Sequence, residues 1–146
     1  MTTTPVEVGT PLPRWGVAAV DPARMKVLAL LLRDPNPIHF DVAAARRSGM
    51  PGLVNQGPSN MAMLVNAVQR AFPSGRLTGL RMRLTGRVLA GQAVEVVGEV
   101  VEVGTSPAGM TVVCRVRLVA EGSTVLQGEA DVLLLPDEGG VDDTEH

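Results

Sequence analysis

The sequence contains few of the residues on which several large protein classes depend. Among 146 residues there are one cysteine, two histidines and no tyrosine, and aromatic residues make up 2% of the chain. The single thiol of Cys114 cannot form an intrachain disulfide, and its apolar neighbours predict a buried cysteine in a reducing compartment. Two histidines, one of them at the C-terminus, make a poor ligand set, so we expect no metal site.

The sequence also lacks an excess of basic residues and any long apolar run. Thirteen Lys and Arg residues against 15 Asp and Glu residues give a net charge of -2, which offers no positive field for nucleic acid. No segment approaches the roughly 18 consecutive apolar residues of a membrane-spanning helix. The polar start lacks the charged and apolar regions of a signal peptide. We therefore expect a cytoplasmic protein without nucleic-acid or membrane partners.

What the sequence does contain is enough apolar residues for one core. Hydrophobic residues make up 45% of the 146-residue chain, a length that suits one domain rather than two. Residues 1–13 are rich in Thr and Pro and are predicted to be irregular. Residues 137–146 are acidic and are predicted to be a disordered tail. The predicted domain occupies residues 14–136.

The first half of the chain predicts a short strand followed by three helices. The strand is expected from Trp15 to Val20. Asp21-Pro22 is typical of an N-cap followed by a proline at the first helical position, and apolar spacing extends this helix to about Leu32. A short helix capped by Asp41 should end at Arg47. The longest helix should run from Gly57-Pro58 to about Ala71, with one apolar face formed by Met61, Leu64, Val65, Val68 and Phe72.

The second half alternates apolar and polar residues, which predicts strands. Consecutive strands joined by short turns form an antiparallel meander. An apolar sheet face and an apolar helix stripe are buried most simply against each other. The sequence therefore predicts an α+β domain in which an antiparallel β-sheet wraps around the long central helix. The four strands are expected near Leu80 to Val88, Ala93 to Val103, Met110 to Ala120 and Thr124 to Leu135.

The most informative stretch is Asp34-Pro35-Asn36-Pro37-Ile38-His39. It places a carboxylate and an imidazole five positions apart, and the prolines favour a stiff, extended loop. A carboxylate and a neutral histidine that face the same small volume can share proton handling near pH 7. That chemistry suits the addition or removal of water. The alternative is a plain surface turn with His39 incidentally beside it.

This stretch, followed by Asn55-Gln56-Gly57-Pro58, resembles the MaoC-like, (R)-specific enoyl-CoA hydratase family. Members carry an Asp-x-Asn-Pro-(Leu/Ile/Val)-His signature, and the resemblance is strong from about Arg33 to Val68. It implies a single hot dog domain, no cofactor, and an acyl thioester of coenzyme A or acyl-carrier protein as substrate. Two departures are evident. Arg33 stands where many relatives have Gly, and Gln56-Gly57-Pro58 stands where many have His-Gly-Met.

The resemblance also implies roles for the site residues. Asp34 and His39 would act together on one bound water, with their individual acid and base roles open. Asn36 would hold the loop or the water, or only close an Asx turn. Gly57 is the expected carbonyl donor, because a residue without a side chain lets a thioester approach the free N–H groups at a helix start. Alternatively, Gly57 only starts the helix. Gln56 is expected to add a side-chain donor.

We therefore expect a hydro-lyase that interconverts 3-hydroxyacyl and trans-2-enoyl thioesters. The alternatives are a hot dog thioesterase that uses a lone carboxylate, and an acyl-thioester-binding accessory subunit of a heteromeric dehydratase. An unpaired strand edge predicts a homodimer, or a heteromer with a second hot dog subunit. Arg81, Arg83 and Arg87 are expected on one strand face, as a solvated surface or as a site for the phosphates of coenzyme A.

Overall fold

A computed structural model of the chain describes residues 5–136. The strands form one antiparallel sheet in the order β1-β3-β4-β5-β2, which confirms the predicted α+β class. The predicted disordered tail, residues 137–146, lies outside the described residues. The elements are β1 (Trp15–Val17), α1 (Pro22–Leu31), α2 (Val42–Arg47), α3 (Gly57–Ala71), β2 (Gly75–Leu84), β3 (Val94–Ser106), β4 (Gly109–Ala120) and β5 (Ser123–Leu134).

The long helix α3 packs across β2, β3, β4 and β5, and its inner face fills the centre of the core. Leu64, Ala67 and Val68 are almost completely buried on this face, with Asn60 one turn earlier. Met61, which was predicted on the apolar face, is 42% exposed, because the buried stripe passes through its neighbour Asn60 instead. No helix within residues 5–136 is long and apolar enough to cross a bilayer.

The strand β2 starts and ends earlier in the chain than its alternation predicted. It spans Gly75–Leu84 rather than the expected range 80–88. The strand was predicted to start only at Leu80, because a glycine directly after a helix, as at Gly75, is typical of a loop. Its end is set by β5, since the N–H groups of Thr85 and Gly86 both donate to Val125 O and the regular ladder stops there. A contact of such long sequence separation cannot be read from local alternation.

The N-terminal segment forms no long element, yet it is tied to the sheet. Gly9 N–H donates to Val100 O at 2.8 Å, and Leu12 N–H donates to Gly98 O at 2.8 Å. The side chain of Leu12 is buried in the core. β1 follows and ends at Val17, shorter than the predicted strand. This segment and β1 together cover the outer edge of β3.

Candidate active site

The end of α1 fixes the backbone of Asp34. Asp34 N–H donates to Ala29 O at 2.9 Å and Arg33 N–H donates to Leu30 O at 3.1 Å. This pair of bonds is a Schellman motif, in which the residue after the cap adopts a left-handed conformation. Arg33 takes that conformation, with φ of 51°. Asp34 is therefore placed by the helix rather than by a mobile loop.

After Asp34 the chain turns tightly, which corrects the prediction of an extended loop. Asp34 Oδ1 accepts from Asn36 N–H at 3.1 Å, and Asn36 Oδ1 accepts from Ile38 N–H at 3.3 Å. Two successive Asx turns thus lead into one turn of 3-10 helix at Pro37–His39. The structure uses the Asn36 oxygen to cap this turn, in agreement with the turn-closing alternative.

The imidazole of His39 is buried and held at both ring nitrogens. His39 is 8% exposed, and its Nδ1 lies 2.6 Å from Val54 O. A carbonyl oxygen only accepts, so Nδ1 carries the proton and donates it to Val54. The other nitrogen, Nε2, lies 3.2 Å from Asp34 Oδ2. Val54 N–H in turn donates to Ile38 O at 3.0 Å, which ties the loop to the segment that precedes α3.

This geometry makes Asp34 and His39 one proton-sharing unit. With Nδ1 protonated, a neutral imidazole presents a lone pair at Nε2, and a carboxylate oxygen also presents only lone pairs. A hydrogen bond across 3.2 Å therefore needs one proton between them, or a water that bridges them. The Asp34 side chain is 32% exposed, whereas that of His39 is 10% exposed. Solvent therefore has more access to the pair from the Asp34 side.

An open cavity of about 640 Å³ lies beside Asp34. Its walls are mainly apolar. Two cations also line it, Lys26 from α1 and Arg33 from the turn that follows this helix. Gly57 is not among the residues that line it. The lining residues are Lys26, Ala29, Leu30, Arg33, Asp34, Pro35 and Phe40.

The start of α3 offers unused backbone donors. Gly57 is the first helical residue, and Pro58 has no N–H. Within residues 5–136, the N–H groups of Gly57 and Ser59 donate to no protein acceptor. A Cβ built on Gly57 would meet only Leu84 Cδ1, at 3.9 Å, and the backbone there is not left-handed. Neither packing nor conformation therefore requires glycine at this position.

Gln56 ties the start of α3 to α1. Its side chain is fully buried, and its Nε2 donates to Met25 O at 2.9 Å. Its Oε1 finds no partner among the described residues. The sequence did not predict this tie, and a role of Gln56 as donor to a carbonyl remains a prediction. The adjacent Asn55 also braces the helix start, since its Nδ2 donates to Asn60 Oδ1 at 2.7 Å and to Ser59 Oγ at 3.2 Å.

Of the predicted site residues, the structure brings Asp34, Asn36 and His39 together in one loop. Gly57 and Gln56 lie at the start of α3, and the loop is connected to the segment before them through Val54. No three His, Cys, Asp or Glu side chains within residues 5–136 converge so as to hold a metal ion.

Of the three arginines that were predicted on one strand face, Arg81 and Arg83 share a surface: they line an open depression together with Arg115 and Arg117 of β4. Arg81 makes a bidentate ion pair with Asp131, at 2.9 and 3.1 Å, and the hydrogen bond to Asp131 raises the pKa of Arg81 above its usual value. Arg83 is exposed on the same strand, but Arg87 lies beyond the strand end at Leu84, which corrects the predicted stripe. The pairing of Arg81 agrees with a solvated surface.

Comparison with known proteins identifies the family of the chain. The model of the MaoC-like domain matches residues 4–122. The chain belongs to this family. At the family level, this groups it with hydratases and dehydratases, and it confirms the family and the hot dog fold expected from the sequence. Among curated protein sequences, none matches this MaoC-like chain significantly.

Solved structures of similar fold include several hydratases. The unliganded R-hydratase PhaJ1 from Pseudomonas aeruginosa is 24% identical, with a TM-score of 0.80 over 90% of this chain and 84% of that chain. The (R)-hydratase from A. caviae involved in PHA biosynthesis is 21% identical, with a TM-score of 0.79 over 90% and 99%. The ChsH1-ChsH2 complex from Mycobacterium tuberculosis is also 21% identical, with a TM-score of 0.77 over 92% and 99%. At these identities, the likenesses show the fold alone.

Proposed function

We propose that this MaoC-like protein is a hydro-lyase that interconverts 3-hydroxyacyl and trans-2-enoyl thioesters. The observation that carries the proposal is the 3.2 Å approach of Asp34 Oδ2 to His39 Nε2, with the opposite ring nitrogen fixed on Val54 O. A pair that shares one proton can take a proton from water and return one to carbon. The similarity of the fold to (R)-hydratases supports the same chemistry.

In the hydration direction, a water held by Asp34 and His39 loses a proton to the pair as its oxygen bonds to the β-carbon of the enoyl thioester. The electrons of the double bond move toward the thioester oxygen. The α-carbon then takes a proton from the pair, so that Asp34 and His39 recover their starting protonation state in each turnover. Dehydration follows the same steps in reverse, with the 3-hydroxyl group leaving as water.

The thioester oxygen gains negative charge during this reaction and needs a donor. Gly57 supplies it in our proposal, because its N–H group has no acceptor within residues 5–136 and lies at the positive end of the α3 dipole. The open space over its Cα admits a carbonyl where a side chain would stand. Gln56 anchors this end of α3 to α1, the helix that delivers Asp34.

Two other functions fit a domain of this family less well. A thioesterase that uses a lone carboxylate has no need of the paired, immobilised imidazole of His39. An accessory subunit would not need to retain both Asp34 and His39. Structures similar in fold include two complexes from M. tuberculosis. One is ChsH1-ChsH2, and the other is HadBC, a 3R-hydroxyacyl-ACP dehydratase. These complexes keep a heteromeric assembly open for this chain.

The deciding experiment follows two products in parallel. The purified protein is incubated with a panel of trans-2-enoyl-CoA thioesters of graded length, and both the enone absorbance and free thiol are recorded. Loss of the enone without thiol release is expected, and Asp34→Asn should abolish that loss. Stoichiometric release of free thiol would instead establish a thioesterase. No reaction by the chain alone, with activity restored by a second subunit, would establish the heteromeric alternative.

A further inference from the structure

Arg33 occupies a position that disfavours an arginine. It is the residue after the C-cap of α1, and its φ of 51° lies in the left-handed region. Glycine is the usual residue at this point of a Schellman motif, because a Cβ there lies too close to the following carbonyl oxygen. The conformation is enforced by the bonds from Arg33 N–H to Leu30 O and from Asp34 N–H to Ala29 O. A strained residue beside a reactive carboxylate is typical of a functional constraint.

The side chain of Arg33 lines the cavity next to Asp34, and no carboxylate of the described residues neutralises it. Within residues 5–136, neither Arg33 nor Lys26, the second cation of the cavity, has a carboxylate oxygen within 4.0 Å. Lys26 belongs to α1 and Arg33 to the turn that follows it, and both side chains line the same cavity. Between them, the wall is formed by Ala29 and the 80% exposed Leu30. The cavity therefore combines an apolar wall with two cations that form no ion pair within the described part of the chain.

We propose that Arg33, assisted by Lys26, binds an anionic group of the substrate in this cavity and is a specificity-determining residue. The proposal rests on the proposed hydro-lyase function, because it places the substrate against Asp34. The anionic group is a phosphate of the thioester carrier or a carboxylate on the acyl chain. A carboxylate is planar and a phosphate is tetrahedral, and a guanidinium binds the oxygens of either group through paired N–H donors. The apolar wall then contacts the carbon chain that leads from the anion to the reacting carbons.

Three thioesters with the same reacting carbons separate the two sources of charge. A trans-2-enoyl-CoA carries phosphates, the matching N-acetylcysteamine thioester is neutral, and an N-acetylcysteamine thioester with a carboxylate at the end of its acyl chain carries only that charge. Arg33→Gln is compared with Arg70→Gln, which removes the same charge from an exposed position in the last turn of α3, about 20 Å along that helix from Gly57. Arg33→Lys tests whether charge alone restores binding.

Arg33→Gln should raise KM for one of the two anionic substrates about ten- to hundredfold more than for the neutral one, the usual scale for a hydrogen bond to a charged group. A selective effect on the CoA thioester assigns the anion to phosphate, and one on the acyl carboxylate assigns it to the acyl chain. Arg33→Lys should recover part of the loss, and Arg70→Gln should leave all three values unchanged. An equal effect on all three substrates, or none, overturns the proposal.

Two further measurements keep the proposal independent of folding and of turnover. Arg33→Gly should melt above the wild type, since it relieves the left-handed strain, and yet show the same selective loss as Arg33→Gln. If the wild-type protein hydrates no thioester, the proposed function fails. Calorimetric titration with free coenzyme A and with the carboxylate-bearing N-acetylcysteamine thioester then decides this proposal alone. About tenfold weaker binding of either compound by Arg33→Gln supports it, and equal binding of both overturns it.

Discussion

His39 Nδ1 donates to Val54 O across 2.6 Å, and this contact determines that the other ring nitrogen, Nε2, presents a lone pair when the imidazole is neutral. The carbonyl fixes the tautomer and the ring orientation, so Nε2 faces Asp34 Oδ2, with which it shares a proton in the proposed mechanism. The contact also connects the loop that carries Asp34 and His39 to the segment that begins α3. Catalytic and structural roles of His39 can therefore be separated by replacing one nitrogen at a time.

The first prediction concerns the catalytic pair. Asp34→Asn keeps the oxygen that accepts from Asn36 N–H, and His39→Asn keeps a side-chain donor near the position of Nδ1. Each change should lower turnover by about 10² to 10⁴ fold, the usual scale of a general acid or base. His39→Ala should in addition lower the free energy of unfolding by about 1 to 3 kcal/mol, because Val54 O loses its partner. Steady-state kinetics and urea unfolding measure the two effects.

The double variant Asp34→Asn/His39→Asn gives the sharper test of a shared proton. Two groups that act on one water form a unit, so the double variant should be little slower than the worse single variant. Fully multiplicative losses would show that Asp34 and His39 act independently. A folded single variant with nearly normal hydration would show that the site lies elsewhere.

Gly57 provides the second prediction. Because a Cβ at this position meets only Leu84 Cδ1, at 3.9 Å, Gly57→Ala should fold normally. It should raise the free energy of unfolding by about 0.4 to 1 kcal/mol through the reduced freedom of the unfolded chain. Turnover should fall by at least about tenfold, since the methyl group occupies the approach of the thioester oxygen to a donor of this kind. Gly57→Val should lower it further. Normal turnover together with a lower melting temperature would mean that Gly57 only starts the helix.

The sequence predicted those parts of the fold that depend on local chemistry. Asp21 and Asp41 were recognisable as N-caps from their own residue type and their neighbours, and both accept the expected backbone N–H groups. The Asp34 and His39 pair was readable from fixed spacing across two prolines. The register of β2 was not, because it is set by β5, some 50 residues away in the chain.

The contacts that complete the candidate site also join residues that are far apart in the chain. The acceptor of His39 lies 15 residues along the chain, and the acceptor of Gln56 lies 31 residues back, in α1. Neither contact has a sequence signature, because any residue can present a carbonyl oxygen. The left-handed conformation of Arg33 was also hidden, since arginine is not a residue that predicts it.

The third prediction concerns the tie between α1 and α3. Gln56→Leu removes the bond to Met25 O but also removes the buried, unpartnered Oε1, so the free energy of unfolding should change by less than about 1.5 kcal/mol. Gln56→Glu places a second acceptor or a buried charge against Met25 O and should cost several kcal/mol. Urea unfolding of both variants measures the difference. Equal stability of the two would mean that the side chain is not enclosed as described.

Cys114 gives the fourth prediction, through its titration. The thiol is completely buried between Val100 and Ala130 on the neighbouring strands, and burial raises its pKa from 9.0 to about 11. The folded state therefore retains a proton that the unfolded chain releases. This contribution to stability is fully present below pH 9 and is lost as pH rises to about 11, to a total of about 3 kcal/mol.

Cys114→Ala serves as the control for this alkaline loss. The stability gap between wild type and variant should shrink by about 3 kcal/mol between pH 8 and pH 11. Few other side chains contribute to the change in stability over this pH range, because the chain has no tyrosine and a single lysine. Thiol reagents should label the folded protein at pH 8 only at the rate of unfolding. Rapid labelling of folded protein would contradict the burial of the thiol.

The last prediction is that the protein works as a dimer or a multiple of one. β2 stands at one end of the sheet order and pairs only with β5, so within residues 5–136 its other edge has unpaired N–H and C=O groups along Gly75–Leu84. Such edges are covered in stable soluble proteins. Leu30 and Leu31 on α1 are also 80% and 74% exposed, which adds apolar surface for a partner to bury. Edge-to-edge pairing about a twofold axis satisfies the backbone and brings Asp34 and His39 of one subunit toward α3 of the other, as the family resemblance implies.

Mass and hydratase activity should therefore fall together on dilution in sedimentation and kinetic series. A fully active monomer would contradict this arrangement, and activity that appears only with a different second chain would select the heteromer.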